Sequence, residues 1–493
     1  MSEPFANLPF DNSYGRLPGK FYSRLSPIAA RSPYLVEFNQ GLAEELGIAN
    51  HFHDTEATAR FLSGSRFPKH ADPLAMVYAG HQFGNWVPRL GDGRALLAGE
   101  VKDSSGTLWD IHLKGSGPTP YSRNGDGLAA LGPVIREYVV SEAMHALDVP
   151  TTRSLAVVTT GDNVRREEAL EGAVLTRIAR SHVRVGTFQY FYANQDHEAL
   201  QQLADFCIDR LYPDCRNADN PVQALLAKVV EKQATLVAHW LSLGFIHGVM
   251  NTDNMAISGE TIDYGPCAFM DRFHAAKTFS SIDRHGRYSW GNQPHMAHWN
   301  LAQLATALVP ILAEDQSEAM QLAQEVLDGF AEQFNQSYLQ RFGQKLGLVL
   351  KEEQEEAFLN TTLELLTKHQ IDLTLFFRHL SEFARDNQHE GLANLFANRR
   401  AVAVWLDNWL MLMGQQVNDP SDRYQAMRKA NPIYIPRNHQ VEAAINAAYH
   451  GNFEVFRRLS EVLSKPYTEQ AGAEEYEAEP SDNEMVHATF CGT

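Results

Sequence analysis

A helical apolar pattern at 221–243 runs directly into Phe245-Ile246-His247-Gly248-Val249-Met250-Asn251-Thr252-Asp253-Asn254, and Ile262-Asp263-Tyr264-Gly265 follows closely. This order constrains the chain more than any other feature. A long buried helix must end, and a strand–turn–strand must then present Asp253, Asn254 and Asp263 on neighbouring loops. An amide oxygen and a carboxylate placed together suit a hard divalent cation that also contacts substrate phosphates. Taken singly, Asn254 and Asp263 are ordinary turn residues. Their fixed order after the helix is what points to chemistry.

The spacing matches the catalytic loop of protein kinases, H-R-D-x-x-x-x-N, which is followed by D-F-G. His247 and Asn254 are in register, and Asp263-Tyr264-Gly265 stands at the D-F-G position. The catalytic aspartate would fall at 249, where this chain has valine. Asp253 is then the nearest carboxylate able to orient or deprotonate an attacking hydroxyl. Lys114, at the end of Ile111-His112-Leu113-Lys114, matches the strand lysine of V-A-I-K. Glu137, on a helix that buries part of its surroundings, is its expected partner. Gly91-Asp92-Gly93-Arg94 and Arg123-Asn124-Gly125-Asp126-Gly127 allow close backbone approach to an anion. Arg177 and Arg184 offer planar forks for phosphate. From these residues alone three readings stand: a γ-phosphotransferase, a nucleotide-binding scaffold without turnover, or transfer at a different phosphorus.

The 493-residue chain is 44% hydrophobic and carries a net charge of −18. That size supports more than one lobe, and that charge argues against nucleic acid or an anionic membrane surface as the main partner. No apolar run reaches membrane-spanning length, and Met1-Ser2-Glu3-Pro4-Phe5 has neither the basic nor the apolar part of a secretory leader. The cytoplasm is the expected compartment. The four cysteines, at 207, 215, 267 and 491, form no CxxC pair.

Periodicity predicts an α+β fold with a β-rich N-lobe and a larger helical C-lobe. Strands are expected at 94–101, 107–114, 155–160 and 173–178, with one prominent helix at 133–147. Helical spacing continues at 196–211, 221–243, 297–312, 315–341, 353–369, 371–388 and 390–413. Tyr78–Trp86 reads as a packed loop. The expected divisions are an N-terminal extension with short helices (1–75), an N-lobe (76–192), a helical C-lobe (193–467) and an acidic tail (468–493). The tail is expected to be disordered up to 484, with apolar residues near its end able to dock back.

The longer motifs carry a resemblance. Tyr78-Ala79-Gly80-His81-Gln82-Phe83-Gly84, Gly91-Asp92-Gly93-Arg94, His112-Leu113-Lys114-Gly115-Ser116-Gly117, Thr119-Pro120-Tyr121-Ser122-Arg123, the His247–Asn254 loop, Asp263-Tyr264-Gly265-Pro266 and Asn431-Pro432-Ile433-Tyr434-Ile435-Pro436-Arg437-Asn438 closely resemble the selenoprotein O family, called YdiU in bacteria. The likeness spans essentially the whole chain. It implies a kinase-like two-lobed pseudokinase fold that binds ATP in a flipped orientation and transfers AMP to Ser, Thr or Tyr hydroxyls of proteins. Some bacterial members also transfer UMP from UTP. It further implies that Gly91, Gly93, Arg94, Lys114, Asp126, Gly127, Glu137, Arg177 and Arg184 hold the nucleotide. Asn254 and Asp263 would hold Mg²⁺ or Mn²⁺, with Asp253 as general base. Many members carry a selenocysteine or cysteine near the C-terminus. Cys491 matches it, and a regulatory disulfide with Cys267, four residues after Asp263, is the expected pairing.

Overall fold

The structure, a computed structural model, describes residues 5, 7–26, 28–351, 353–386, 390–416 and 419–490. The N-terminal half comprises β1 (Tyr22–Arg24), β2 (Tyr34–Phe38), α1 (Gln40–Glu45), α2 (Thr55–Leu62), β3 (Leu74–Met76), β4 (Gly80–Gln82), β5 (Asn85–Val87), β6 (Ala95–Lys102), β7 (Leu108–Lys114), β8 (Ala129–Ala130), α3 (Leu131–Ala146), β9 (Arg153–Arg165) and β10 (Ala169–Ala179). The helical half follows: α4 (Val185–Ala193), α5 (His197–Leu211), α6 (Pro221–Leu243), the short pair β11 (Phe245–Ile246) and β12 (Ala268–Phe269), α7 (Gln293–Leu312), α8 (Gln316–Asp328), α9 (Phe330–Leu346), α10 (Glu353–His369), α11 (Leu373–Asp386), α12 (Gly391–Asn394), α13 (Arg399–Gln415), α14 (Pro420–Ala430), α15 (Asn438–Tyr449), α16 (Glu454–Leu463) and α17 (Glu474–Glu477).

The main sheet runs β1-β3-β6-β7-β10-β9-β2, with β8 also paired to β10. Its register decides where the chemistry goes. Lys114 lies opposite both Ala95 and Leu175, and His112 opposite both Leu97 and Arg177. Side chains alternate along a strand, so Lys114, His112 and Arg177 share one face. Leu113, Ile111 and Ile178 point the other way, into a core with Leu42, Leu46, Phe61 and Leu62 of α1 and α2. On the site face, α3 packs through Val134, Ile135, Tyr138 and Val139 against Val157 and Leu175, and is covered in turn by Val441, Ile445, Phe456 and Leu459 of α15 and α16.

The predicted helix at 133–147 and the four strands are present. Five expectations differ. The N-terminal stretch is more than an extension of short helices, because β1 and β2 are the two edge strands of the main sheet. There they pair backbone groups that β3 and β9 would otherwise expose. Tyr78–Trp86 contains the hairpin β4–β5, in register His81 opposite Trp86. The pattern at 315–341 is two helices, α8 and α9, which meet at Gly329, and that at 390–413 is likewise two, α12 and α13. The acidic stretch 468–484 is ordered rather than disordered. Ala473 and Tyr476 are buried. Arg437, itself wholly buried, donates to the Glu477 carbonyl at 2.9 and 3.1 Å, and Arg378 and Arg428 pair with Glu469. Composition counts the tail's negative charges but not the arginines waiting for them.

Arg437 also pairs with Asp271 at 2.5 Å and Asp372 at 2.7 Å. Arg437→Lys keeps the charge and loses the fork, so it is expected to cost ~2 kcal/mol. Denaturant unfolding measures it, and a change below about 0.5 kcal/mol, the size of an ordinary surface substitution, would contradict the anchoring role.

Candidate active site

Helix α6 ends on Gly244, which takes the left-handed conformation at φ 73°. The chain then turns through β11 into the loop beginning at His247. His247 is fully buried. Its backbone N–H donates to Gln293 Oε1 at 3.0 Å, and its Nε2 lies 2.9 Å from the Ile262 carbonyl. Burial holds its pKa below the usual histidine value, so the ring is a neutral strut between this loop and the segment leading to Asp263. A Cβ on Gly248 would lie 2.7 Å from the Pro266 carbonyl oxygen, which explains glycine at the closest approach of the two loops.

Asn254 Nδ2 donates to the Val249 carbonyl at 3.0 Å. The amide nitrogen is thereby spent inside the loop, which leaves Oδ1 as the atom available to a ligand. Asp253 is buried. Its Oδ2 accepts from Gln82 Nε2 at 3.3 Å, while Oδ1 has no hydrogen-bond partner. Burial pushes its carboxyl up to about 6, partly opposed by Arg184.

Asp263 joins two chains of charge. Its backbone is left-handed, φ 64°, a conformation aspartate tolerates better than most residues. Oδ1 accepts from Arg177 Nη2 at 2.6 Å and Oδ2 from Arg184 Nη1 at 2.9 Å. Arg177 Nε in turn donates to Glu137 Oε1 at 2.5 Å, and Lys114 Nζ to Glu137 Oε2. Lys114, Glu137, Arg177, Asp263 and Arg184 thus form one alternating, largely buried sequence with a net charge of +1. Burial opposes ionisation of Asp263, but the two arginines outweigh it and hold the carboxyl well below the usual range. Burial also lowers Lys114, to about 8, against the pull of Glu137.

Lys114, Arg177, Arg184, Asp253, Asn254 and Asp263 line a cleft of about 560 Å³, a size suited to a nucleotide; Glu137 is buried behind Lys114 and Arg177 and does not line it. Gly91, Gly93, Arg94, Asp126 and Gly127 line it as well. The glycines also have a packing reason. A Cβ at Gly91 would lie 2.4 Å from the Tyr121 ring, and one at Gly127 2.2 Å from the Gly117 carbonyl oxygen. Asp126 pairs with Arg166 at 2.8 Å. The lining residues to which the sequence assigns no role include Gln82, Asp92, His112 and Tyr78, the last lying under the Arg184 guanidinium at 4.6 Å. All four stand inside the longer motifs; for His112 the register of β6, β7 and β10 shows that it shares the face of Lys114.

The donor set fits a hard cation. Asp263 is ionised, and each carboxylate oxygen retains a lone pair beyond its arginine contact. Asn254 offers an amide oxygen, and Asp253 adds an unpartnered oxygen in the same cleft. Among the described residues no group of three His, Cys, Asp or Glu could hold a metal ion by itself.

Cys267 is wholly buried, and burial pushes its thiol up to about 12. Cys491 lies outside the described residues. Thr489 docks beside Cys267, where its Oγ1 donates to the Pro266 carbonyl at 2.6 Å and its N–H to Phe279 at 2.7 Å.

A family model described as Protein adenylyltransferase SelO matches residues 4–464. Among similar proteins, the Protein nucleotidyltransferase YdiU of Rhodopseudomonas palustris (strain BisB18) is 51% identical, with 99% of each chain covered. That of Bradyrhizobium diazoefficiens is 50% identical over 99% of each. That of Rhizobium johnstonii is 50% identical over 100% of this chain and 99% of its own. The motifs, their assembly in one cleft and similarity along the whole length lead to one conclusion: this chain belongs to the SelO family of protein adenylyltransferases.

Proposed function

We propose that this protein is a protein nucleotidyltransferase that moves AMP from ATP to Ser, Thr or Tyr hydroxyls of other proteins and releases pyrophosphate. UTP is the second donor to be tested. The carrying observation is that Asp253, and no residue at position 249, offers a buried carboxylate oxygen without a partner to the cleft. The acceptor oxygen attacks the α-phosphorus. The new O–P bond forms as the bond to the β-bridging oxygen breaks, pyrophosphate leaves with that electron pair, and the hydroxyl proton passes to Asp253. Lys114, Arg177 and Arg184 offset the charge that develops on the phosphates. Asn254 and Asp263 are the residues to hold Mg²⁺ or Mn²⁺, which would supply further charge neutralisation.

We also read the scaffold as kinase-like, with the N-lobe near 76–192 and the C-lobe near 193–467. The supporting features are the Lys114–Glu137 pair joining β7 to α3 and the order His247, Asn254, Asp263. The flipped nucleotide follows from the same assignment. With valine at 249 and the base at 253, the reacting phosphorus must stand elsewhere than in a kinase.

Label from α-phosphate-labelled ATP should appear on acceptor protein, and label from the γ position should not. The reverse result would contradict the assignment. The ionised form of Asp253 is the active one, so the rate falls on acidification. The ascending limb of kcat against pH should have its midpoint at or below about 6, because a nearby cation lowers the carboxyl's pKa. A midpoint near 8 would move the base to Lys114.

A further inference from the structure

The hairpin β4–β5 is fastened to the catalytic loop residue by residue. The His81 N–H donates to Thr252 Oγ1 at 2.7 Å, Gln82 Nε2 to Asp253, and the Phe83 N–H to Asn251 Oδ1 at 2.9 Å. A Cβ on Gly80 would stand 2.9 Å from Thr252 Oγ1 and 3.2 Å from Asp253 Oδ1. The free side of the hairpin is aromatic. His81 lies between Trp86 and Trp299, with ring centroids at 5.0 and 5.2 Å, and Trp86 is 40% exposed.

Beside it runs the segment 282–287. Tyr288 ties this segment to the same loop through a 2.7 Å hydrogen bond to Asn251 Oδ1. Its one acid, Asp283, is buried and accepts from the backbone N–H groups of Arg287 and Tyr288 at 2.9 and 2.8 Å. Arg284 is exposed. The Arg287 guanidinium rests on Trp299 at 5.1 Å and against Gly84, and its Nε is buried without a partner. Neither arginine pairs with a carboxylate among the described residues. Gln82, Phe83 and Ile282 line the cleft, whereas Arg284 and Arg287 stand outside it. On a chain of net charge −18, this is a cationic, aromatic rim at the mouth of the site.

We propose that the hairpin β4–β5 and the segment 282–287 form the acceptor-docking surface, and that Arg287 and Arg284 select a polypeptide segment bearing an acidic side chain beside the acceptor hydroxyl. The proposal rests on the nucleotidyltransferase reading above. An aromatic surface accepts an extended backbone of varied sequence, and the partly desolvated guanidinium supplies the charge selection.

The test uses the full chain, α-labelled ATP and three hydroxyl peptides that differ only in acidic, neutral or basic flanks. The wild type should show a KM for the acidic peptide about tenfold below that for the basic one. Arg284→Glu with Arg287→Glu should invert that order while the KM for ATP stays in place. Arg284→Glu alone, at an exposed position, should narrow the preference without disturbing a buried atom. Equal KM values for the three peptides in the wild type, or an order unmoved by charge reversal, would overturn the docking surface and leave AMP transfer standing. No α-label on any peptide or on the protein's own hydroxyls would overturn both.

Discussion

Asp253→Asn is expected to lower the rate of AMP transfer by about 10³-fold, within the range a positioned general base contributes. The substitution is nearly isosteric. The asparagine oxygen can still accept from Gln82, and the backbone carbonyl still takes the 2.8 Å hydrogen bond from Arg184. Nucleotide affinity should therefore change little, since Lys114, Arg177 and Arg184 hold the phosphates. Stability should be unchanged or higher, because burial already disfavours the charged carboxylate and the neutral amide removes that cost. Single-turnover transfer from α-labelled ATP, read beside equilibrium nucleotide binding and thermal melting, separates the three quantities. A rate within about threefold of wild type would move the base to another group, since far larger losses are usual when a general base is removed.

Glu137→Gln is expected to damage stability and transfer together. Glu137 is 1% exposed and takes one cation on each oxygen, Lys114 and Arg177. Removing its charge leaves two buried cations sharing the single carboxylate of Asp263 with Arg184. Breaking one partner of a buried ion network typically costs ~3–5 kcal/mol. Lys114, whose pKa burial already lowers to about 8, loses its largest support and becomes substantially neutral near pH 7.5. Transfer should fall by about 10²-fold or more as phosphate stabilisation weakens. The double variant Lys114→Met with Glu137→Gln should regain much of the stability but none of the activity, since it removes the unpaired charge together with the phosphate ligand. Stability that does not recover in the double variant would show that packing around α3, rather than charge pairing, sets the loss.

The sequence made a large part of this legible, for physical reasons that differ by residue. The Lys114–Glu137 pair is legible because a strand-end lysine and a helical carboxylate in part-apolar surroundings each need the other. Asn254 and Asp263 were recognised by spacing. Arg177 and Arg184 were named as phosphate ligands, but their grip on Asp263 was not foreseen, since 86 and 79 residues separate the partners. Gln82 was quoted only inside a motif, and nothing local reveals that its amide meets a carboxylate 171 residues away. The order of the tail is hidden from the sequence for the same reason, because its carboxylates meet Arg272, Arg378 and Arg428, which lie 41 to 207 residues away.

By itself, then, the sequence determined what short-range physics controls: the period of strands and helices, the end of the long helix before His247, the order that puts Asn254 and Asp263 on neighbouring loops, and the absence of a kinase base at Val249. The tertiary structure alone decided which face of the sheet carries Lys114, His112 and Arg177, how Asp263 closes the chain of ion pairs, and that the hairpin β4–β5 locks onto Asp253. Backbone propensity and turn chemistry act over a few residues, whereas a buried charge takes whichever counter-charge the fold brings within about 3 Å, regardless of where it lies in the chain.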